Sequence, residues 1–252
     1  MKGYQTMNII EQYQQQVERH QEEIRRDTKF HQLSREWMDR SIGCGYSYNF
    51  TWMGRPIIQY PQDIIAMQEL IWRIQPDLII ETGIAHGGGL VFYASMLELT
   101  GGDGQVLGVE QHIFPEIREQ LERHRMYKRI TMLEGNSVSA EIIQKVAEAA
   151  RGKSRVLVAL DSNHTHEHVL RELELYSPFV TKGSYLVVFD TIVNEVDEGY
   201  YSNRPWDASN NPRTAADAFL AGNKRFVVDE DISSRLQVSA CPGGYLRCIA
   251  DN

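Results

Sequence analysis

Cysteine is scarce: Cys44, Cys241 and Cys248 are an odd set of three in 252 residues, with no C-x-x-C pair. Nothing here supports a disulfide framework or a thiolate zinc site, and a reducing, cytoplasmic setting is expected. No apolar run approaches the roughly 20 residues that a bilayer-spanning helix requires. The Gln/Glu/Arg-rich stretch after Met1-Lys2-Gly3-Tyr4 lacks the apolar centre of a secretion signal. Membrane insertion is therefore not expected. Positive charge is also short, with 26 Lys plus Arg against 34 Asp plus Glu and a formal charge of -8. That balance opposes sequence-independent attachment to nucleic acid or anionic lipid. A small neutral or metal-chelated substrate fits better.

What is present suits one α/β domain with modest additions, since a single core can serve this length. Residues 8–40 are polar and helix-favouring with sparse apolar points, which predicts an exposed or subunit-packing helix and hence a homo-oligomer. Residues 43–56 mix glycine with aromatics and follow neither period, so they read as a loop with a purpose. Asp63 is placed to cap a helix that Pro76 ends. From Leu78 onward short apolar strands alternate with helical stretches, the pattern of a parallel sheet with crossover helices. Strands are predicted at 78–81, 106–110, 130–134, 156–161 and 185–190. Two last strands, at 225–228 and at 236–240 or 245–249, are expected to pair as an antiparallel hairpin.

The densest signal is Leu78-Ile79-Ile80-Glu81-Thr82-Gly83-Ile84-Ala85-His86-Gly87-Gly88-Gly89, a strand, a glycine loop and a helix start in succession. Such a loop lets a ligand approach the backbone while the helix N-terminus offers N–H donors. Ala85 occupies the middle glycine position of the dinucleotide fingerprint, which argues against NAD. A carboxylate at Glu81 would repel a pyrophosphate but suits a cationic amino-acid group, as in S-adenosylmethionine (SAM). Glu110, at the end of the next strand, is placed to accept hydrogen bonds from ribose hydroxyls. Asn136 and Ser137, after the third strand, offer small polar groups for an adenine pocket. The cofactor-binding set is thus Glu81, Gly83, Ala85, Gly87, Gly88, Glu110, Asn136, Ser137 and Asp161.

Asp161 and Asp190 end the fourth and fifth strands, where ligands of open α/β sheets bind. Two carboxylates there repel each other unless a cation lies between them. Oxygen donors without thiolates suit Mg2+, Mn2+ or Ca2+, with Thr191 as a third metal ligand and Asn163 and Asn194 as further candidates. A hydroxyl bound to such a metal has a lowered pKa, and His164, three residues after Asp161, is the preferred base. His166 and His168 lie on the following helix, where at least one serves structure. The blander alternative is that strand-end aspartates cap helices and the histidines lie on a solvated surface.

Thr51-Trp52-Met53-Gly54-Arg55-Pro56-Ile57-Ile58-Gln59, Glu81-Thr82-Gly83-Ile84-Ala85-His86-Gly87-Gly88 and Leu160-Asp161-Ser162-Asn163-His164-Thr165 resemble the cephalosporin hydroxylase family, over a span from Thr51 to the C-terminus. That resemblance implies a class I, Rossmann-like SAM-dependent methyltransferase, with relatives among metal-dependent sugar O-methyltransferases. They share a strand-end aspartate and a histidine three residues later, which Asp161 and His164 match. Many members carry Glu-Asp-Thr after the fifth strand, where this chain has Phe189-Asp190-Thr191, so one metal carboxylate is missing. Asn203-Arg204-Pro205-Trp206-Asp207 resembles members encoded with surface-polysaccharide genes, which implies a sugar hydroxyl acceptor. Tyr46, Tyr48, Trp52, Tyr60, Tyr200, Tyr201 and Trp206 offer flat surfaces for a sugar or adenine, or anchor their loops. The expected division is an N-terminal helix and aromatic lid loop over 1–60 and a SAM-binding domain over 61–252. The expected activity is SAM-dependent O-methyl transfer assisted by Mg2+; an iron-dependent hydroxylase and a non-catalytic binding protein of the same fold are the alternatives.

Overall fold

The apolar runs become the centre of a seven-stranded sheet in the computed structural model, which describes residues 8–196, 199 and 203–251. In chain order its strands are β3 (Leu78–Thr82), β4 (Gln105–Glu110), β5 (Ile130–Glu134), β6 (Val156–Leu160), β7 (Tyr185–Val188), β8 (Phe226–Val228) and β9 (Tyr245–Cys248). The spatial order is β5-β4-β3-β6-β7-β9-β8, parallel from β5 to β7, with β9 antiparallel to both β7 and β8. β3 and β6 are buried along their whole length, as a parallel sheet covered on both faces requires.

Alternate residues of each strand enter different layers. Ile79, Leu157 and Val187 pack towards α3 (Pro61–Ile74) and α4 (Gly88–Thr100), while Ile80, Val158 and Leu186 pack towards α6 (Ala140–Ala150), α7 (His166–Tyr176) and α8 (Pro212–Gly222). The switch of strand order between β3 and β6 opens a crevice at their carboxyl ends, above which the glycine loop and Asp161 meet.

The structure departs from the sequence reading in three places. The N-terminal helix is two helices, α1 (Ile9–Arg26) and α2 (Thr28–Gly43), because the Asp27 side chain accepts from Phe30 N–H and starts a new helix. The last two strands do pair antiparallel, the second at 245–248, the later of the two expected positions, but the helix α9 (Glu230–Leu236) lies between them instead of a tight turn. Asp63 does not cap its helix: it sits in the first turn of α3, fully buried, and accepts from Ser239 Oγ, Ala240 N–H and Tyr245 Oη at 2.6–2.7 Å.

The aromatic loop contains a small hairpin, β1 (Thr51–Trp52) and β2 (Arg55–Pro56), turning through Met53 and Gly54 at positive φ. Trp52 anchors it on α4, donating from Nε1 to Ser95 Oγ at 2.9 Å with its ring edge-on to Phe92. Tyr46 stacks on Tyr60. Tyr200 and Tyr201 lie outside the described residues. No helix among the described residues is long and apolar enough to cross a membrane.

Candidate active site

The glycine loop is fixed from two sides. Gly83 takes φ +81°, and a Cβ there would stand 2.0 Å from the Asp161 carbonyl oxygen, so β3 and β6 leave their ends in direct backbone contact. Ala85 also has positive φ, 43°, and Glu110 supports that turn: its Oε2 accepts from Ile84 N–H at 3.0 Å and Ala85 N–H at 3.2 Å. The carboxylate read from the sequence as a ribose acceptor is seen here shaping the loop.

Beyond the loop lie two adjoining cavities that share Gly83, Ala85 and Asp161 in their walls. The inner one, about 40 Å3, is narrow and is faced by Gln59, Asp63, Glu81, Tyr93, Asp161 and Phe189. The outer groove, about 480 Å3, has Glu110, Asp161, His164 and Asp190 along it and Tyr48, Arg204 and Trp206 around it. Its size lies within the range of small-molecule sites.

Asp161, His164 and Asp190 come together here, with one ligand atom from each lying within 4.8 Å of the others. His164 Nε2 is 3.2 Å from Asp190 Oδ2, and the His164 ring meets Trp206 edge-on at 4.8 Å between centroids. Asp190 itself sits in the left-handed region, φ 55°, a conformation that Asp tolerates. Burial first, then the charges of Asp190 and Glu81, hold the Asp161 carboxyl well above the usual carboxylate range. That mutual repulsion is what a divalent cation between two carboxylates relieves, so the oxygen-rich donor set fits a hard metal.

Glu81 is 4% exposed, and its Oε2 has no hydrogen-bond partner among the described residues. Burial and then Glu110 push its pKa up to about 8, while a hydrogen bond from Tyr93 works the other way. A buried, unpartnered acceptor facing the inner cavity fits a cationic ligand group. Asp63, held to the loop at 239–240 and to Tyr245, is raised to about 6 by burial against those three hydrogen bonds.

Other predicted residues lie elsewhere. Thr191 is fully buried, its Oγ1 donates to the Pro242 carbonyl at 2.9 Å, and it lines neither cavity. Asn163 binds Thr165, and Asn194 accepts from Asn211. Asn136 and Ser137 line neither cavity: Asn136 closes a local turn onto Val138 N–H, and Ser137 Oγ is 3.0 Å from His168 Nε2. Gly87 caps α4 behind the cavity wall, whereas Gly88 forms part of it. Phe189, in the position of the missing carboxylate, is buried and covers the inner cavity with its ring. His166 bonds Thr214, and His168 faces buried Glu172 at 3.5 Å, so both serve the framework.

Four residues at or beneath the site were not read as site residues from the sequence: Gln59, Asp63, Tyr93 and Glu172. Only Glu172 carried a local signal, since it shares the apolar face of α7 with Val169, Leu173 and Tyr176 and is an acid there. It accepts from Ser162 Oγ at 2.7 Å, beneath the loop that holds Asp161 and His164.

A family model described as Rhamnosyl O-methyltransferase/CmcI matches residues 44–249. The chain is 32% identical over 148 residues to a rhamnosyl O-methyltransferase of Mycobacterium tuberculosis (strain H37Rv), covering 57% of this chain and 58% of the relative. It is 31% identical over 147 residues to that of Mycobacterium leprae (strain TN), covering 57% and 61%. The chain therefore spans less than two thirds of the length of these relatives. Among solved structures it superposes on CmcI with Mg and SAM at a TM-score of 0.57, with 18% identity, covering 81% of this chain and 78% of that one. It superposes on an O-methyltransferase from Bacillus cereus in complex with SAH at 0.51, with 13% identity, covering 86% and 91%. These likenesses establish the fold of class I methyltransferases.

Proposed function

The chain belongs to the Rhamnosyl O-methyltransferase/CmcI family, and from that premise we propose that it transfers the methyl group of SAM to a hydroxyl of a sugar or glycan-like acceptor with help from a divalent metal. The observation that carries this reading is the convergence of Asp161, His164 and Asp190 beside a glycine loop whose inner cavity ends on an unpartnered carboxyl, Glu81. Rhamnosyl O-methyltransferase relatives support a sugar acceptor, and CmcI with Mg and SAM supports the cofactor pair.

In this proposal Glu81 takes the ammonium group of SAM, Gly83, Ala85 and Gly88 let the backbone approach it, and Glu110 accepts from its ribose. Asp161 and Asp190 hold the metal, Mg2+ being the best match for carboxylate donors. Held there, a divalent cation would lower the pKa of an acceptor hydroxyl. His164 receives that hydroxyl's proton at Nε2, the atom that lies 3.2 Å from Asp190 Oδ2. Tyr48 and Trp206 present flat faces to the sugar ring. The iron-hydroxylase alternative loses support because the cluster offers one imidazole and two carboxylates, the reverse of the two-histidine, one-carboxylate set.

We further propose that residues 61–252 form the SAM-binding unit and that 1–60 cover it. Three free thiols support a cytoplasmic location. Ile9, Ile10 and Tyr13, exposed on α1, support a homo-oligomer.

The test is to incubate the protein with methyl-labelled SAM and a panel of nucleotide-sugars and glycans, with Mg2+ or with excess chelator. Label should pass to one acceptor class only when Mg2+ is present. In the same assay His164→Ala should keep SAH binding and lose turnover by about 10^2- to 10^4-fold. Full transfer under chelator would remove the metal from the reaction.

A further inference from the structure

Two buried acceptor atoms of the inner cavity's residues, Glu81 Oε2 and Gln59 Oε1, have no hydrogen-bond donor among the described residues. Glu81 belongs to β3, and Gln59 to the link between β2 and α3. Gln59 uses the other end of its amide, where Nε2 donates to Asp161 Oδ2 at 3.1 Å. One planar group thus holds a carboxylate of the metal cluster with its nitrogen and leaves its oxygen without a partner in the wall of the cavity.

An amide offers its acceptor and its donors at opposite corners of one rigid plane, so fixing the oxygen fixes the nitrogen. We infer that Gln59 is a positioning residue that couples uptake of an ammonium group in the inner cavity to cation binding at Asp161. An ammonium has three N–H donors, enough for Glu81 Oε2 and Gln59 Oε1 together. Its arrival removes the cost of an unpartnered buried acceptor and locks the amide with its N–H on Asp161 Oδ2. The Asp161 carboxylate would then be held in one orientation for the metal. Hydrogen bonds in such a chain also strengthen one another, so the amide becomes a better donor once its oxygen accepts. The coupling is reciprocal: the ammonium-bearing ligand tightens metal binding by the same factor that metal tightens the ligand.

This inference rests on the SAM reading, and the experiment separates the two. Mg2+ is titrated calorimetrically into the full chain alone, with saturating SAH, and with saturating 5′-methylthioadenosine, which keeps the nucleoside but has no ammonium. SAH should raise the Mg2+ affinity of the wild type within the usual range of about 5- to 150-fold. Methylthioadenosine should leave it unchanged. Gln59→Met, near in shape but with no amide, should bind SAH and Mg2+ separately with the ratio reduced to about one. Gln59→Asn, whose shorter amide cannot span both partners, gives the same readout if the Met variant does not fold. Coupling that persists undiminished in the variant, or that methylthioadenosine produces equally, overturns the inference and leaves the SAM reading standing. No SAH uptake by the wild type overturns that reading, and the inference with it.

Discussion

At the scale of single residues the site is defined by carboxyls in an environment that resists their charge. Glu81 is the sharpest case, because its folded pKa of about 8 lies above the ordinary 4.5. The folded state therefore keeps a proton that the unfolded chain gives up. Glu81's contribution to stability is complete below about pH 4.5 and is lost as the pH rises to about 8. Between about pH 5 and pH 8.5 the urea midpoint of the wild type should fall relative to that of Glu81→Gln, which cannot ionise. Parallel pH profiles for the two proteins would show that this carboxyl does not titrate in that window. Glu81, Asp161, His164 and Asp190 were legible in the sequence because each stands at or just beyond the end of an apolar strand run. Asp63 and Thr191 were misread because nothing local says that one accepts from Ser239, Ala240 and Tyr245, or that the other donates to Pro242.

Between elements, the decisive contact is that of β3 with β6 at the crevice. Gly83 allows the two strand ends to touch, and Gly83→Ala forces both a Cβ into the Asp161 carbonyl and a side chain into φ +81°. Overpacking and a strained backbone each cost about 1–3 kcal/mol, so a loss of about 2–6 kcal/mol is expected by chemical denaturation. A loss under about 1 kcal/mol would mean that the strand ends part easily. Strand positions were readable from apolar runs, since a parallel strand covered on both faces must be apolar throughout. The break at Asp27 and the helix α9 were not. A capping aspartate inside a polar helical stretch looks like any other surface acid, and α9 is only 7 residues long.

For the molecule as a whole, a ligand that binds only the folded state stabilises it by mass action. SAH at about 100 times its Kd should add about 2.7 kcal/mol. For a chain of this size that corresponds to roughly 5–10 °C in the thermal midpoint, readable by calorimetry at a series of SAH concentrations. A midpoint insensitive to SAH would speak against the proposed cofactor. The sequence by itself determined the α/β class, the positions of the parallel strands, the glycine loop and the acids at the strand ends, because these follow from local periodicity and from which residue ends each run. Only the tertiary structure decided which groups face one another. Gln59 meets Asp161 across 102 positions of chain, Asp63 meets Tyr245 across 182, and the loop carrying Trp206 is set over His164. Such pairings leave no trace in local pattern: they arise when the sheet brings distant loops to one edge and each buried polar atom takes the donor or acceptor within reach.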